Sequence, residues 1–272
     1  MNGIRLLALD LDDTLLRSDL SISYRTRSAI KRAEAEEVAI ALVSSRIPAA
    51  MDRFARLMGL HKHRGYLISN NGALVIESDT GTIIHEIRIL PEIALAACDL
   101  ADAEGFAVQI YEDDIMYVSR QNEFTGYDQK LTGFRQVVVE NFRAMVGQGC
   151  YKLLIPGDPM LLDPLKNILS AYLGNDITLI TGKSHTLEIL PPQTNKGSAL
   201  AKLAEKLGIG SGQVLAIGDS VNDVDMIKWA GVGVAMVNGD ERIKDIADFV
   251  TDHTNDDDGV ADIIDKYILE KG

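Results

Sequence analysis

The residues of this chain whose types and spacing could do chemistry begin at Asp10. The segment Asp10-Leu11-Asp12-Asp13-Thr14-Leu15 follows directly on the apolar run 4–9 (IRLLAL), which reads as a strand buried on both faces of a parallel sheet. Ligand crevices in open α/β sheets lie outside the carboxyl ends of the strands, so both Asp10 and Asp12 are placed for chemistry. A carboxylate at Asp10 can attack phosphorus to form an aspartyl phosphate, while Asp12 can protonate the leaving oxygen and later deprotonate a water. A second segment, Gly218-Asp219-Ser220-Val221-Asn222-Asp223, repeats the arrangement: the apolar run 213–218 ends in closely spaced carboxylates at a helix start. Mg²⁺ takes carboxylate oxygens together with waters and a substrate phosphate, and Asp219 and Asp223 suit that role. Taken alone, each segment also reads as structure only. The first is then an acidic turn after a strand, the second a helix cap whose acids favour the helix dipole.

Two further residues complete a site of this kind. Ser44 stands at the end of the apolar run 38–43, before a helix N-terminus, where a hydroxyl and free backbone N–H groups can hold a phosphoryl oxygen. Lys196 precedes Gly197 at the start of the helix that follows Pro191-Pro192, and a cation there would neutralise charge on a transferring group, although a lone lysine is usually solvated surface. Arg46 and Asn71 are candidates for substrate contact, against the competing readings of an ordinary ion pair and of a tight turn at Asn71-Gly72. His61, His63, His85, His185 and His253 show neither metal-ligand spacing nor pairing with a nucleophile. The run Asp256 to Asp258 reads as a solvated loop ending in a helix cap.

These residues need a sheet to hold them. Ser23 caps an expected helix over 24–36, a strand covers 38–43, Pro48 opens a second helix that Gly59 closes, and a strand over 66–69 leads into Asn70-Asn71-Gly72. A hairpin is expected around Asp79-Thr80-Gly81. From about Glu86 to Glu188 the texture changes to short strands (106–111, 115–118, 151–155, 177–180) between helices such as 92–104, the pattern of a separate α+β unit. The α/β alternation then resumes with a helix over 197–207, a strand over 213–218, a helix near 223–230 and a strand over 233–236. The expected architecture is one doubly wound α/β domain built from both ends of the chain, residues 1–84 and 190–272, with a second domain over 85–189 inserted between them.

Composition sets the outer limits. With 272 residues, 46% of them hydrophobic and 25% charged, the chain is long enough and apolar enough to bury a core. A net charge of −13 repels nucleic acid, and no block of Lys and Arg compensates for it. That charge also repels a phosphorylated metabolite, so a phosphate-handling site needs a metal ion and local cations. Cys98 and Cys150 lack CxxC spacing and read as buried reduced thiols, which fits a reducing cytoplasm. No run reaches membrane-spanning length, and the first residues lack the features of a signal peptide. Oligomeric state is not readable from the pattern.

In order and spacing, ALDLDDTLL, LVSSR, NKGSAL and IGDSVNDVDMI, with NNGA and AGVGVAMVNG, resemble the motifs of the haloacid dehalogenase superfamily, and within it the Cof-type (subfamily IIB) phosphatases. The resemblance spans almost the whole chain. It implies a Rossmannoid, doubly wound parallel core with an inserted α+β cap domain of the C2 type that closes over the site and contacts the leaving group. It also implies Asp10 as nucleophile, Asp12 as acid/base, and Ser44 and Lys196 as phosphoryl ligands. Mg²⁺ would be held by Asp10, the Asp12 carbonyl and Asp219, with Asp223 and Asn222 supporting the metal and the phosphoryl group. The expected activity is hydrolysis of a small phosphorylated metabolite, a sugar phosphate or a cofactor- or nucleotide-like phosphomonoester. Phosphotransfer or mutase chemistry on the same aspartyl phosphate, and a phospho-accepting signalling module, are the alternatives. Two positions depart from the family: Asp13 stands where glycine is frequent, and Ser45 where glycine usually precedes Arg46. The second departure strains the backbone only if that position is left-handed.

Overall fold

A computed structural model of the chain describes residues 3–62, 65–181 and 185–270. The N-terminal part runs β1 (Leu6–Asp10), α1 (Tyr24–Ala35), β2 (Ala39–Val43), α2 (Pro48–Met58), β3 (Gly65–Ser69), β4 (Leu74–Glu77) and β5 (Ile83–Glu86). The middle part runs α3 (Pro91–Ala103), β6 (Gln109–Glu112), β7 (Ile115–Val118), α4 (Thr125–Thr132), β8 (Arg135–Val138), α5 (Phe142–Val146), β9 (Leu153–Pro156), α6 (Pro159–Leu173), β10 (Thr178–Thr181) and β11 (Thr186–Leu190). The chain then continues through α7 (Lys196–Leu207), β12 (Val214–Gly218), α8 (Val224–Trp229), β13 (Val232–Ala235), α9 (Glu241–Lys244), β14 (Phe249–Val250) and α10 (Gly259–Ile264).

Two compact units result, one from Met1–Glu86 with Asn195–Gly272 and one from Ile87–Thr194. The first holds an eight-stranded sheet in the order β14-β13-β12-β1-β2-β3-β4-β5. Its strands β14 to β3 are parallel, and β4 and β5 add antiparallel at one edge. The chain winds outward from β1 to β2 and β3, then returns on the other side of β1 through β12, so β1 and β12 flank the point where the winding reverses. That is where such sheets open a ligand crevice. Every residue of β1 is buried, because both faces of the strand are covered. Leu7 and Leu9 pack with Ile30, Met51 and Phe54, while Leu6 and Ala8 pack with Ala199, Leu200 and Leu203.

Local chemistry fixes the elements that carry the site. The Ser23 hydroxyl accepts from the Thr26 amide at 2.9 Å and starts α1. Pro48 occupies the first turn of α2, and Gly59 ends it at φ 85°. Asn195 starts α7 by accepting from the Ser198 amide at 2.7 Å.

The second unit carries a six-stranded sheet in the order β10-β11-β9-β6-β7-β8, packed on one face by side chains of α3, α5 and α6. Two of its strands, β8 and β11, are not marked by the sequence pattern. β8 mixes exposed and half-buried residues with little apolar contrast, and β11 closes the sheet between β10 and β9, which draws the unit on to Thr194. Cys98 and Cys150 are both free, and burial pushes both thiols up to about 12. No helix among the described residues is long and apolar enough to cross a membrane.

Candidate active site

Sheet register brings the two acidic segments together. Asp10 ends β1, directly beside Val43 of β2, and Leu9 pairs with Ile217, next to Gly218 at the end of β12. Ser44 and Asp219 each lie one residue beyond their strands, so three candidate residues converge on the carboxyl ends of adjacent strands. Carboxylate oxygens of Asp10, Asp219 and Asp223 all lie within 4.8 Å of one another.

Lys196 is the cation in this group. It is 1% exposed, and its Nζ lies 2.6 Å from Asp10 Oδ1 and 2.6 Å from Asp223 Oδ1. Burial by itself would push the ammonium down, but Asp10 and Asp223 outweigh it and hold the group above its ordinary range. The carboxylates are less well served. Burial, together with the neighbouring Asp223, pushes Asp10 well above its usual range, against the opposing pull of Lys196. Burial and Asp223 likewise push Asp219 up to about 6, while the Thr14 hydroxyl, donating to Asp219 Oδ1 at 3.0 Å, pulls it down. Three carboxylates face one ammonium, an excess of negative charge that a buried site resists. An all-oxygen donor set with that excess fits a hard divalent cation such as Mg²⁺, which would displace the protons the acids otherwise retain.

Asp223 is fixed from both sides. While Oδ1 receives Lys196, Oδ2 accepts the amides of Asp219 and Ser220 at 3.1 and 3.0 Å. The fold-back depends on Gly218: a Cβ there would lie 2.6 Å from Asp223 Cγ. Gly197 has a similar part at the start of α7, where a Cβ would meet the Asp225 carbonyl carbon at 2.4 Å.

Asp12 is placed differently from Asp10. Its side chain is 44% exposed, and Arg46 donates to both oxygens, Nε to Oδ2 at 2.8 Å and Nη2 to Oδ1 at 2.5 Å. The guanidinium also stands over the Phe54 ring at 5.5 Å. The pairing with Asp12 holds Arg46 above its ordinary range. The backbone turns sharply here: Asp13 is exposed at φ 57°, the left-handed conformation that makes glycine frequent at this position and that Asp tolerates. Ser45, by contrast, is not among the residues at positive φ, so its departure from glycine carries no such strain.

Ser44 is 1% exposed, and its Oγ accepts from the Arg46 amide at 3.1 Å. Asn222 donates from Nδ2 to Asn71 Oδ1 at 3.2 Å, and its own Oδ1 accepts from the Ser220 hydroxyl. Thr14, Gly218 and Asn238, whose side-chain amide donates to the Asp13 carbonyl at 2.8 Å, are part of the arrangement but were not legible as such. A hydroxyl, a glycine and an amide distant in sequence become informative only once the strands are paired. No histidine belongs to the acidic group found among the described residues, and His63 lies outside those residues. The run Asp256 to Asp258 is tied to the chain just after the first acidic segment: Asp256 accepts from Ser18, and Asp258 from Arg17 at 3.0 Å. Asp258 precedes α10 without capping it through its side chain.

Residues 7–264 match the sequence profile of haloacid dehalogenase-like hydrolases. The chain is similar to the 5-amino-6-(5-phospho-D-ribitylamino)uracil phosphatase YcsE of Bacillus subtilis (strain 168), at 31% identity over 279 residues that cover 98% of this chain and 96% of that protein. It is also similar to the phosphatase YwpJ of the same organism, at 28% identity covering 98% of this chain and 100% of that one. Among solved structures, a haloacid dehalogenase-like hydrolase from Bacteroides thetaiotaomicron aligns with a TM-score of 0.91 and 29% identity, covering 97% of this chain and 99% of that one.

Two outcomes follow from the electrostatics and packing of the acidic group. Because Asp219 is raised to about 6 from 3.8, the metal-free native state keeps a proton that the unfolded chain has lost. Its contribution to stability is therefore full at low pH and lost as pH rises through about 6. A divalent cation held by these carboxylates would compete with that proton, so any rise in melting temperature on adding Mg²⁺ should be larger at pH 7.5 than at pH 5; a rise independent of pH would contradict the assignment. Gly218→Ala should destabilise the fold by about 1–3 kcal/mol through overpacking. It should also shrink the Mg²⁺-dependent rise, because the added methyl displaces the Asp223 carboxylate; calorimetry with and without chelator reads both.

Proposed function

Given that the chain belongs to the haloacid dehalogenase-like hydrolases, in their Cof-type branch, we propose that it is a Mg²⁺-dependent phosphatase that passes the phosphoryl group of a small phosphorylated metabolite through Asp10. The observation that carries this reading is the convergence of Asp10, Asp219 and Asp223 around the buried ammonium of Lys196. Asp10 is thereby assigned as nucleophile beside one cationic partner, Lys196, while a second carboxylate, Asp12, stands two residues away with access to solvent.

In the first half of the reaction a carboxylate oxygen of Asp10 forms a bond to phosphorus as the ester P–O bond breaks, and the departing oxygen takes a proton from Asp12. Arg46 occupies both Asp12 oxygens, so this transfer requires the pair to give up one hydrogen bond. In the second half Asp12 takes a proton from water as the water attacks phosphorus, the bond to Asp10 breaks, and inorganic phosphate leaves. Lys196, 2.6 Å from Asp10 Oδ1, favours the ionised nucleophile against the effect of burial and stands beside the incoming phosphoryl oxygens. The Ser44 hydroxyl and the Asn222 amide are assigned to phosphoryl oxygens. Asp10, the Asp12 carbonyl and Asp219, with Asp223 behind them, would hold Mg²⁺, which would supply positive charge to offset that of the phosphoryl group.

The unit Ile87–Thr194 is assigned as the cap that selects the leaving group. A small metabolite as substrate is supported by the name of the relative YcsE, a phosphatase of a phosphorylated ribitylaminouracil, and by the net charge of −13, which disfavours nucleic acid. Free thiols, Cys98 buried and Cys150 half-buried, support a reducing, cytoplasmic setting.

Phosphate release from an aryl phosphate and a panel of metabolite phosphates should require Mg²⁺ and fall to background in Asp10→Asn. Asp12→Ala should lower kcat by about 10²- to 10⁴-fold, the usual range for general acid–base catalysis. Full turnover in either variant would remove that residue from its role, and phosphate appearing on an acceptor alcohol in place of water would make the enzyme a phosphotransferase.

A further inference from the structure

The turn Asn70-Asn71-Gly72 does more than reverse the chain after β3. All three residues are left-handed, with φ of 51°, 55° and 102°. Asparagine visits this region singly and glycine freely, but three in succession persist only where the surroundings over-determine them. Here the surroundings are three different loops of the site. The Asn70 amide donates to the Arg46 carbonyl at 2.9 Å and the Asn71 amide to the Ser44 carbonyl at 3.0 Å, which fastens the turn to the segment after β2. A Cβ on Gly72 would lie 2.4 Å from the Asn195 carbonyl oxygen, so the turn also lies against the residue before Lys196. Finally, Asn71 Oδ1 accepts from Asn222 Nδ2 at 3.2 Å.

Exposure separates the two asparagines. Asn71 is 2% exposed, whereas Asn222 is only half-buried. With its oxygen taken by the Ser220 hydroxyl and one amide hydrogen by Asn71, the Asn222 side chain is held at both ends and retains one hydrogen for a further acceptor. Resting on the phosphatase reading above, we infer that Asn71 is a positioning residue that acts through Asn222, fixing the donor that meets the phosphoryl group, and does not itself contact substrate as its sequence position first implied. The left-handed turn presents the Asn71 oxygen to Asn222 while its two amides and Gly72 tie that placement to Ser44 and to Lys196.

The test is a double-mutant cycle on binding of inorganic phosphate in the presence of Mg²⁺, read by titration calorimetry, with melting temperature measured for each protein. Asn71→Gly removes the acceptor but keeps a residue at ease at positive φ. It should weaken phosphate binding about three- to tenfold, the net worth of one hydrogen bond, while the protein still melts cooperatively at a modestly lower temperature. Asn222→Ala should weaken binding by a similar factor, and the double variant should be no weaker than Asn222→Ala alone. Losses that multiply would make Asn71 an independent contact and overturn the inference, as would an Asn71→Gly protein that binds phosphate normally or loses its fold. A wild-type protein that binds no phosphate would defeat the phosphatase reading itself and the inference with it, whereas normal wild-type binding with multiplying losses removes only the inference.

Discussion

Everything in the first unit's site depends on burying one ammonium between two carboxylates. Lys196 reaches Asp10 across 186 residues of sequence and Asp223 across 27, at 2.6 Å in each case, with all three groups almost wholly withdrawn from water. A buried ion pair of this kind is weak evidence of stability, since desolvation consumes most of the attraction, but it is costly to break once made. Its effect is to fix geometry. The start of α7 must stand where β1 and β12 end, and the glycines at 197 and 218 provide the clearance that lets helix, strand and Asp223 side chain approach to that distance.

The same constraint explains why some of the site was legible and some was not. Asp10, Ser44 and Asp219 could be picked out because a short, wholly apolar strand that stops at a polar residue is a local pattern, and a parallel sheet puts such stops on one edge. Lys196 had almost no weight as a sequence signal, because a lysine at a helix start is ordinarily solvated; its burial is created by partners far away in the chain. Arg46 was open between substrate contact and ion pairing, and its bidentate hold on Asp12, beside the φ 57° turn at Asp13, is a contact between segments 34 residues apart that no local pattern displays. For the fold, the helix caps and the doubly wound order were readable from Ser23, Pro48, Gly59 and the strand alternation. Strand β8 was not, because a strand that is half exposed on both faces has no apolar alternation to display.

The departures from the family's glycines show how one pattern position can carry two different meanings. At Asp13 the backbone is left-handed and the side chain is exposed, so the replacement retains the conformation with a residue that tolerates it. At Ser45 no left-handed backbone is present, so glycine is not needed for conformation there. A missing glycine is therefore informative only together with the dihedral angle it was meant to allow.

Charge gives the last constraint. The chain as a whole repels a phosphomonoester, with a net charge of −13, and the site does not reverse that sign by itself, because the ammonium of Lys196 is already matched by Asp10 and outnumbered once Asp219 and Asp223 are included. Burial and the neighbouring Asp223 push both Asp10 and Asp219 toward the protonated form, the direction that relieves this excess. A protonated Asp10 is no nucleophile, and an ionised one beside two further carboxylates is no receptor for a dianion. A divalent cation held by these carboxylates would ease both conflicts together: it would favour the ionised acids and offset the local negative excess.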